Sequence, residues 1–278
     1  MKPEGLSVVL TGAAGGIGSA LAAVLARAGA RVLLVGRRGA PLAALAASLG
    51  AGVRTLRVQA LAADITTAAG RATIRDIAAA RGCNALINCA ALPGFGRFAD
   101  ADDGEIDAVL RTNLVAPIQL TLALLPQLQA QRQARVLNIG SATGRLGVPG
   151  FAVYGAGKFG LRGFSEALRR ELADTPVRVQ YLGARATRTG FNDRRADEFN
   201  RRTRTAVDAP EVVARAALAL LRSGGAEKFV GFPESVAVRL NGLAPTLLDR
   251  AFAAHRAALR PAASGASIDP STTESQHV

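Results

Sequence analysis

Three side chains in one short stretch have the chemistry to move a proton on or off an oxygen. Ser141, Tyr154 and Lys158 stand at spacings of thirteen and four in the run from Gly140 to Gly160. A Tyr and a Lys four apart share one face of a helix. A Lys ammonium beside a phenol favours the phenolate, so the spacing predicts a Tyr pKa below its usual ~10. A Ser hydroxyl at a preceding strand end supplies a hydrogen bond to a substrate oxygen. These are the parts of a proton-transfer site for a carbonyl or an alcohol. They become one only if the surrounding elements hold them together.

The amino-terminal elements supply a reason. Leu6 to Leu10 reads as a short apolar strand, followed by TGAAGGIG (Thr11 to Gly18) and an Ala/Leu-rich helix to about Ala28. In a strand, glycine turn and helix, Gly12, Gly16 and Gly18 allow a tight turn and close approach of backbone to a pyrophosphate, with Ala14 and Ile17 in the same turn. The helix amino terminus favours the phosphate charge. Arg31 to Val35 is the second strand and ends in Gly36-Arg37-Arg38. An acidic residue there would hold a ribose 2′-hydroxyl and favour NAD(H); two arginines suit a 2′-phosphate and predict NADP(H). The alternative is a pair of solvated loop arginines.

Further along, Pro41 to Leu49 is helical, Val53 to Val58 is a third strand, and Asp64-Ile65 follows it. Asp64 either accepts from an adenine amino group or N-caps the helix from Thr67 to Arg81. Ala85 to Asn88 is a fourth strand, after which Ala90 and Ala91 leave room for a ribose. A long helix from about Asp103 to Gln131 contains Asn113, which is either a structural amide or a residue that holds a water behind Lys158. Pro117 predicts an irregularity close by. Arg135 to Ile139 delivers Ser141, Ala152 to Ala173 carries Tyr154 and Lys158, and Val177 to Leu182 is the sixth strand. Pro210 to Arg222 is a helix and Lys228 to Gly231 a last short strand. Such alternation implies right-handed crossovers and one α/β Rossmann domain, a doubly wound parallel sheet of about seven strands with helices on both faces.

Composition sets bounds. A chain of 278 residues can bury a substantial core. Its net charge of +13 comes mainly from Arg and permits attraction to anionic partners. The chain is only 4% aromatic and has no nucleic-acid-binding module, so no nucleic-acid partner is expected. Cys83 and Cys89, the only two cysteines, form neither a metal pattern nor a disulfide framework, which fits a reducing, cytoplasmic setting. The first strand begins too early to leave room for a signal peptide, and no run of 18 apolar residues free of charge or strong breakers suggests a membrane span.

TGAAGGIG, Asp64, Asn113, Ser141 and YGAGK, in this order, resemble the short-chain dehydrogenase/reductase family of the classical type over about residues 5 to 232. The resemblance implies a catalytic tetrad of Asn113, Ser141, Tyr154 and Lys158, with Tyr154 as general acid in reduction. It also implies dinucleotide contacts from Asn88, Ala90, Tyr154, Lys158, Thr187 and Thr189, and a homodimer or homotetramer. The chain departs from the family pattern at Cys89 and Ala91, at Ala184-Arg185 and at Gly15. The segment from Tyr181 to Asn192 and the long carboxyl-terminal region resemble bacterial ketoacyl reductases. That implies a 3-oxoacyl group on acyl carrier protein or coenzyme A, with Arg132, Arg169 and Arg170 available to an acidic carrier. A small ketone, sugar or secondary metabolite is the alternative substrate class.

The remaining chain divides in three. Gly183 to Arg204 is Arg-rich and reads as a substrate lid or a solvated helix. Residues 233–261 form an amphipathic basic extension that covers its own domain, a neighbouring subunit or, less favourably, a membrane surface. Residues 262–278, rich in Ser, Thr, Ala and Gly, are expected to be disordered. The catalytic domain is thus residues 1–232.

Overall fold

The sheet is built from the short apolar runs. In the computed structural model, which describes residues 1–50, 57–232 and 234–260, the strands are β1 (Ser7–Thr11), β2 (Arg31–Gly36), β3 (Val58–Ala62), β4 (Ala85–Asn88), β5 (Ala134–Ser141), β6 (Val177–Ala184) and β7 (Glu227–Phe229). They form one sheet in the order β3-β2-β1-β4-β5-β6-β7, parallel throughout. The expected doubly wound fold is therefore present. The order in which strands are added switches sides between β1 and β4, and ligands of such sheets bind in that crevice. β1, β4 and nearly all of β5 are buried, as expected of parallel strands covered on both faces.

Two layers of helix cover the sheet. α1 (Gly16–Arg27), α2 (Gly39–Gly50) and α8 (Pro210–Ser223) pack on one face through Leu21, Leu25, Leu42, Val213 and Leu221. α3 (Ala68–Ala80), α5 (Ala116–Gln129) and α6 (Ala152–Glu171) pack on the other through Ile74, Leu120, Leu124, Leu128 and Leu168. α4 (Asp103–Leu110) runs into α5 through a π-helical turn at Arg111–Val115. By length and composition the stretch 103–129 is long and apolar enough to cross a membrane, although Pro117 and Pro126 interrupt its charge-free part. Here Leu120, Leu124 and Leu128 are buried in the core instead.

Some boundaries move. The third strand is Val58–Ala62, in register with Val32 to Gly36, and not Val53 to Val58; residues 51–56 lie outside the described chain. Thr67, not Asp64, caps α3 by accepting from the Gly70 amide. Asp64 instead accepts from the Thr66 amide and hydroxyl, each at 2.8 Å.

A buried polar chain crosses the second layer. Asn88 Nδ2 donates to Asn138 Oδ1 (2.8 Å) and to Thr121 Oγ1 (3.2 Å), and Asn138 Nδ2 donates to Ser165 Oγ (2.8 Å). It ties β4 to β5 and both to α5 and α6. At Cys89, the neighbouring departure from the family pattern, the backbone N–H donates to Thr11 Oγ1 at 3.0 Å. At the second departure, Arg185 makes a two-pronged ion pair with Asp208, at 2.7 and 2.9 Å, and donates to the Phe232 carbonyl at 3.3 Å. It fixes the end of β6 to the chain that leads into α8.

The extension folds back on this domain. α9 (Glu234–Leu243), a 3-10 stretch (Pro245–Phe252) and α10 (Ala253–Ala258) follow β7. Val238 is fully buried against Ala142 and Leu146. Asn241 Nδ2 donates to the Arg145 carbonyl at 2.8 Å. The tail at 262–278 lies outside the described residues.

Asp208→Asn keeps the shape of the Arg185 pair but removes one charge. Its two partners are 17% and 11% exposed, and breaking such a pair costs about 3 kcal/mol. The expected result is a lower urea midpoint with an unchanged slope; an unchanged midpoint contradicts the structural role assigned to the pair.

Candidate active site

The turn after β1 is shaped by what a side chain would strike. Gly12 has φ of 65°, and a Cβ there would lie 2.7 Å from the Ala90 Cα after β4. A Cβ on Gly16 would fall 2.3 Å from Thr189 Cγ2. The glycine turn, the end of β4 and the loop after β6 therefore converge more closely than Ala would permit. The amino terminus of α1 receives no side-chain cap, so its backbone N–H groups suit a diphosphate.

These segments enclose a cleft of about 650 Å³ at the carboxyl edge of the sheet. Gly12, Ala14, Gly16, Ile17 and Gly18 line one end, with Arg37, Arg38, Asp64, Ile65 and Ala90 beside them. Ser141, Tyr154, Lys158, Thr187 and Thr189 line the middle. Thr11 Oγ1 accepts from the amides of Cys89 (3.0 Å) and Ala90 (3.2 Å), which holds the cleft floor between β1 and β4. Both arginines are exposed, and neither is in an ion pair among the described residues.

Two of the expected residues stand behind the cleft rather than in its wall. Asn88 is turned into the core by its bonds to Asn138 and Thr121. Asn113 is fully buried, and its amide clamps the backbone of Leu92: Oδ1 accepts from the Leu92 N–H (2.7 Å), while Nδ2 donates to its carbonyl (2.9 Å). The structural reading of the Asn113 side chain therefore holds. Its carbonyl is a separate matter. Pro117, four residues on, has no N–H to complete the α-helical bond, and the Ala116 N–H reaches back to the Arg111 carbonyl instead. The expected irregularity is this π turn, and it leaves the Asn113 carbonyl without its α-helical donor.

Tyr154 and Lys158 share the cleft face of α6, as their spacing requires. Lys158 is 3% exposed, and its ammonium donates to the Ile139 carbonyl at 3.1 Å. It lies 5.6 Å from the centre of the Tyr154 ring. Burial lowers the Lys158 pKa to about 8. Burial also raises that of Tyr154 above the ordinary phenol range, and the nearby Ser141 hydroxyl offsets only part of the rise. The expected lowering of the Tyr pKa is thus reversed, because removing a phenolate from water outweighs its neighbours. Cys89, beside Lys158, is pushed up to about 12 for the same reason, so its thiol stays protonated.

Sequence reasoning missed Tyr181. It is 2% exposed under the end of β5, where its hydroxyl accepts from the Ser141 N–H and donates to the Ser141 carbonyl, both at 3.1 Å. A Cβ on Gly140 would fall 2.0 Å from its ring, and one on Gly144 2.1 Å from its oxygen. The two glycines flanking Ser141 are the visible trace of this ring in the sequence. Ser141 Oγ accepts from the Thr143 amide at 3.1 Å, so backbone and side chain are both held. Tyr181→Phe leaves a buried amide without its partner, at a cost of about 1–3 kcal/mol. We expect kcat to fall about tenfold with nicotinamide dinucleotide affinity unchanged; steady-state kinetics with a binding titration separates this from general destabilisation.

A family model described as short chain dehydrogenase matches residues 7–199. Nodulation protein G of Rhizobium sp. (strain N33) is 34% identical over 194 residues, which cover 70% of this chain and 78% of that one. The 3-oxoacyl-[acyl-carrier-protein] reductase FabG of Escherichia coli (strain K12) is 31% identical over 203 residues, 70% of this chain and 81% of that one. Among solved structures, a short-chain dehydrogenase from Sphingobium yanoikuyae in complex with NADPH aligns with a TM-score of 0.74 and 29% identity, covering 87% of this chain and 93% of that one. With the glycine turn, Ser141, Tyr154 and Lys158 gathered at one sheet edge, the chain belongs to the short-chain dehydrogenase/reductase family of oxidoreductases.

Proposed function

We propose that the protein reduces a ketone with NADPH, with Tyr154 as proton donor and Ser141 as the residue that positions the substrate oxygen. The observation that carries this reading is the meeting of Ser141, Tyr154 and Lys158 with the uncapped helix terminus and the Arg37–Arg38 pair in one cleft. The bound dinucleotide supplies the hydride. As the carbonyl carbon is reduced, charge grows on its oxygen, and a phenol that resists ionisation in the resting site meets it as an acid. Tyr154 gives up its proton there. Lys158 holds a positive charge beside the developing phenolate and keeps most of it below pH 8. The freed Asn113 carbonyl offers the ammonium a route for proton resupply. Arg37 and Arg38 recognise the 2′-phosphate. The relatives include a 3-oxoacyl reductase, which supports a carbonyl as substrate. Exposed Leu122 on α5 and Phe159 on α6 support association between copies of the chain through these helices.

Tyr154→Phe is expected to lower the reduction rate by at least ~10²-fold and leave NADPH binding within about threefold. Retained turnover excludes Tyr154 as the donor. The double change Arg37→Ala with Arg38→Ala is expected to weaken NADPH by about 30-fold or more and NADH by less than about threefold. Equal losses in parallel titrations contradict 2′-phosphate recognition.

A further inference from the structure

The chain has ten phenylalanines and two tyrosines in 278 residues. Five of the phenylalanines, and the catalytic tyrosine, line the one cleft. They are not scattered along it. Phe151 lies 6.3 Å from Tyr154 and 5.0 Å from Phe95, and Phe95 lies 5.0 Å from Phe199. Phe191 flanks Tyr154 on another side at 6.1 Å. The rings continue into the extension: His255 is 5.6 Å from Phe199 and 5.0 Å from Phe252. A wall of tilted rings thus runs from the proton donor to α10. The arginines of α7 (Arg194–Arg202) largely face outward, while its Phe199 and Asn200 are buried.

The extension is built to close this wall. Arg202 donates to the Ala258 carbonyl, joining α7 to α10. A Cβ on Gly150 would meet Phe95 and Leu259 within 2.9 Å, so α10 seats directly on the loop before α6. His255 Nδ1 is shielded from solvent and has no hydrogen-bond partner among the described residues. A buried polar atom in an apolar wall is costly unless a ligand group satisfies it.

We propose that the substrate is a bulky ketone carrying an aromatic ring, and that Phe252 and His255 of the carboxyl-terminal extension select it. The inference rests on the reductase reading above and narrows its substrate. Rings at centroid spacings of about 5–6 Å in tilted orientations accept another ring edge-to-face. His255 Nδ1 meets a polar substituent at the far end of that ring, and burial, which lowers the pKa of His255, keeps the imidazole neutral for the purpose. A pantetheine arm passing along this wall would lay its amides against phenyl faces.

The test uses the full chain with NADPH and three carbonyls: deoxybenzoin, butanone and acetoacetyl-coenzyme A. We expect kcat/KM for deoxybenzoin to exceed that for butanone about 100-fold or more, and to exceed that for the thioester. Phe252→Ala and His255→Leu should each lower the deoxybenzoin-to-butanone ratio about tenfold or more. Phe98→Ala, exposed and outside the cleft, should leave it unchanged. Thermal unfolding and NADPH titration check each variant; Phe252→Leu, which keeps bulk and loses the ring, replaces an unfolded Phe252→Ala. Preference for the thioester, or a ratio unmoved by the extension variants, overturns the inference while the reductase reading stands. No turnover of any carbonyl by a chain that binds NADPH overturns both.

Discussion

At the carboxyl edge of the sheet, backbone segments approach more closely than side chains allow, and the site depends on that constraint. Gly12 rests against Ala90, Gly16 against Thr189, and Gly140 against the ring of Tyr181. The first two bring the segments after β4 and β6 to the turn after β1, and the third packs β6 against the end of β5. The first two open the phosphate end of the cleft by keeping the turn low over β4. The third fixes Ser141 at the height of Tyr154. A single methyl at any of the three would have to displace a neighbour. Overpacking of that kind costs about 1–3 kcal/mol and here would move a loop that carries a site residue.

Burial then sets the chemistry. Lys158 and Tyr154 both lose water on folding, and each is pushed towards its neutral form. For a reductase this is the useful direction for the tyrosine, because an acid must still hold its proton when the substrate arrives. For the lysine it is a cost, met in part by the Ile139 carbonyl. The polar chain from Thr121 through Asn88 and Asn138 to Ser165 ties α6, which carries both residues, to β4 and β5. Tyr154 and Lys158 thus sit on a helix tied to the sheet rather than on a loop, which suits a reaction that depends on alignment.

Much of this was legible in the sequence, for physical reasons. Glycine positions report steric contact, so TGAAGGIG announced the turn, and the interval from Tyr154 to Lys158 announced a helix face. Pro117 announced the break beside Asn113 because a missing N–H has a local consequence. What depends on distant packing was not legible. Tyr181 reads as one more strand residue, although its partners lie forty positions away. The Asn88 side chain is a core amide, which only the register of β5 reveals by bringing Asn138 opposite it. The pKa of Tyr154 was misjudged because spacing shows the nearby ammonium but not the loss of water. The third strand was set too early, since its limits follow β2 and not its own apolar content.

The substrate side shows the same division more sharply. Phe95, Phe151, Phe191, Phe199 and Phe252 come from five separate segments, and no periodicity links them. Their common feature is the cleft they line. The clusters on the two faces of the sheet use Ala, Val, Leu and Ile almost exclusively, whereas Phe199 is buried beside the cleft and Phe252 packs on the smaller cluster of Ala142, Leu146 and Val238. A core can be filled by aliphatic side chains at lower steric demand, whereas a planar substrate is oriented best by other planes. The extension completes that enclosure with Phe252 and His255 and is itself held to α7 and the loop before α6. Its place in the molecule is therefore along the cleft that Tyr154 also lines.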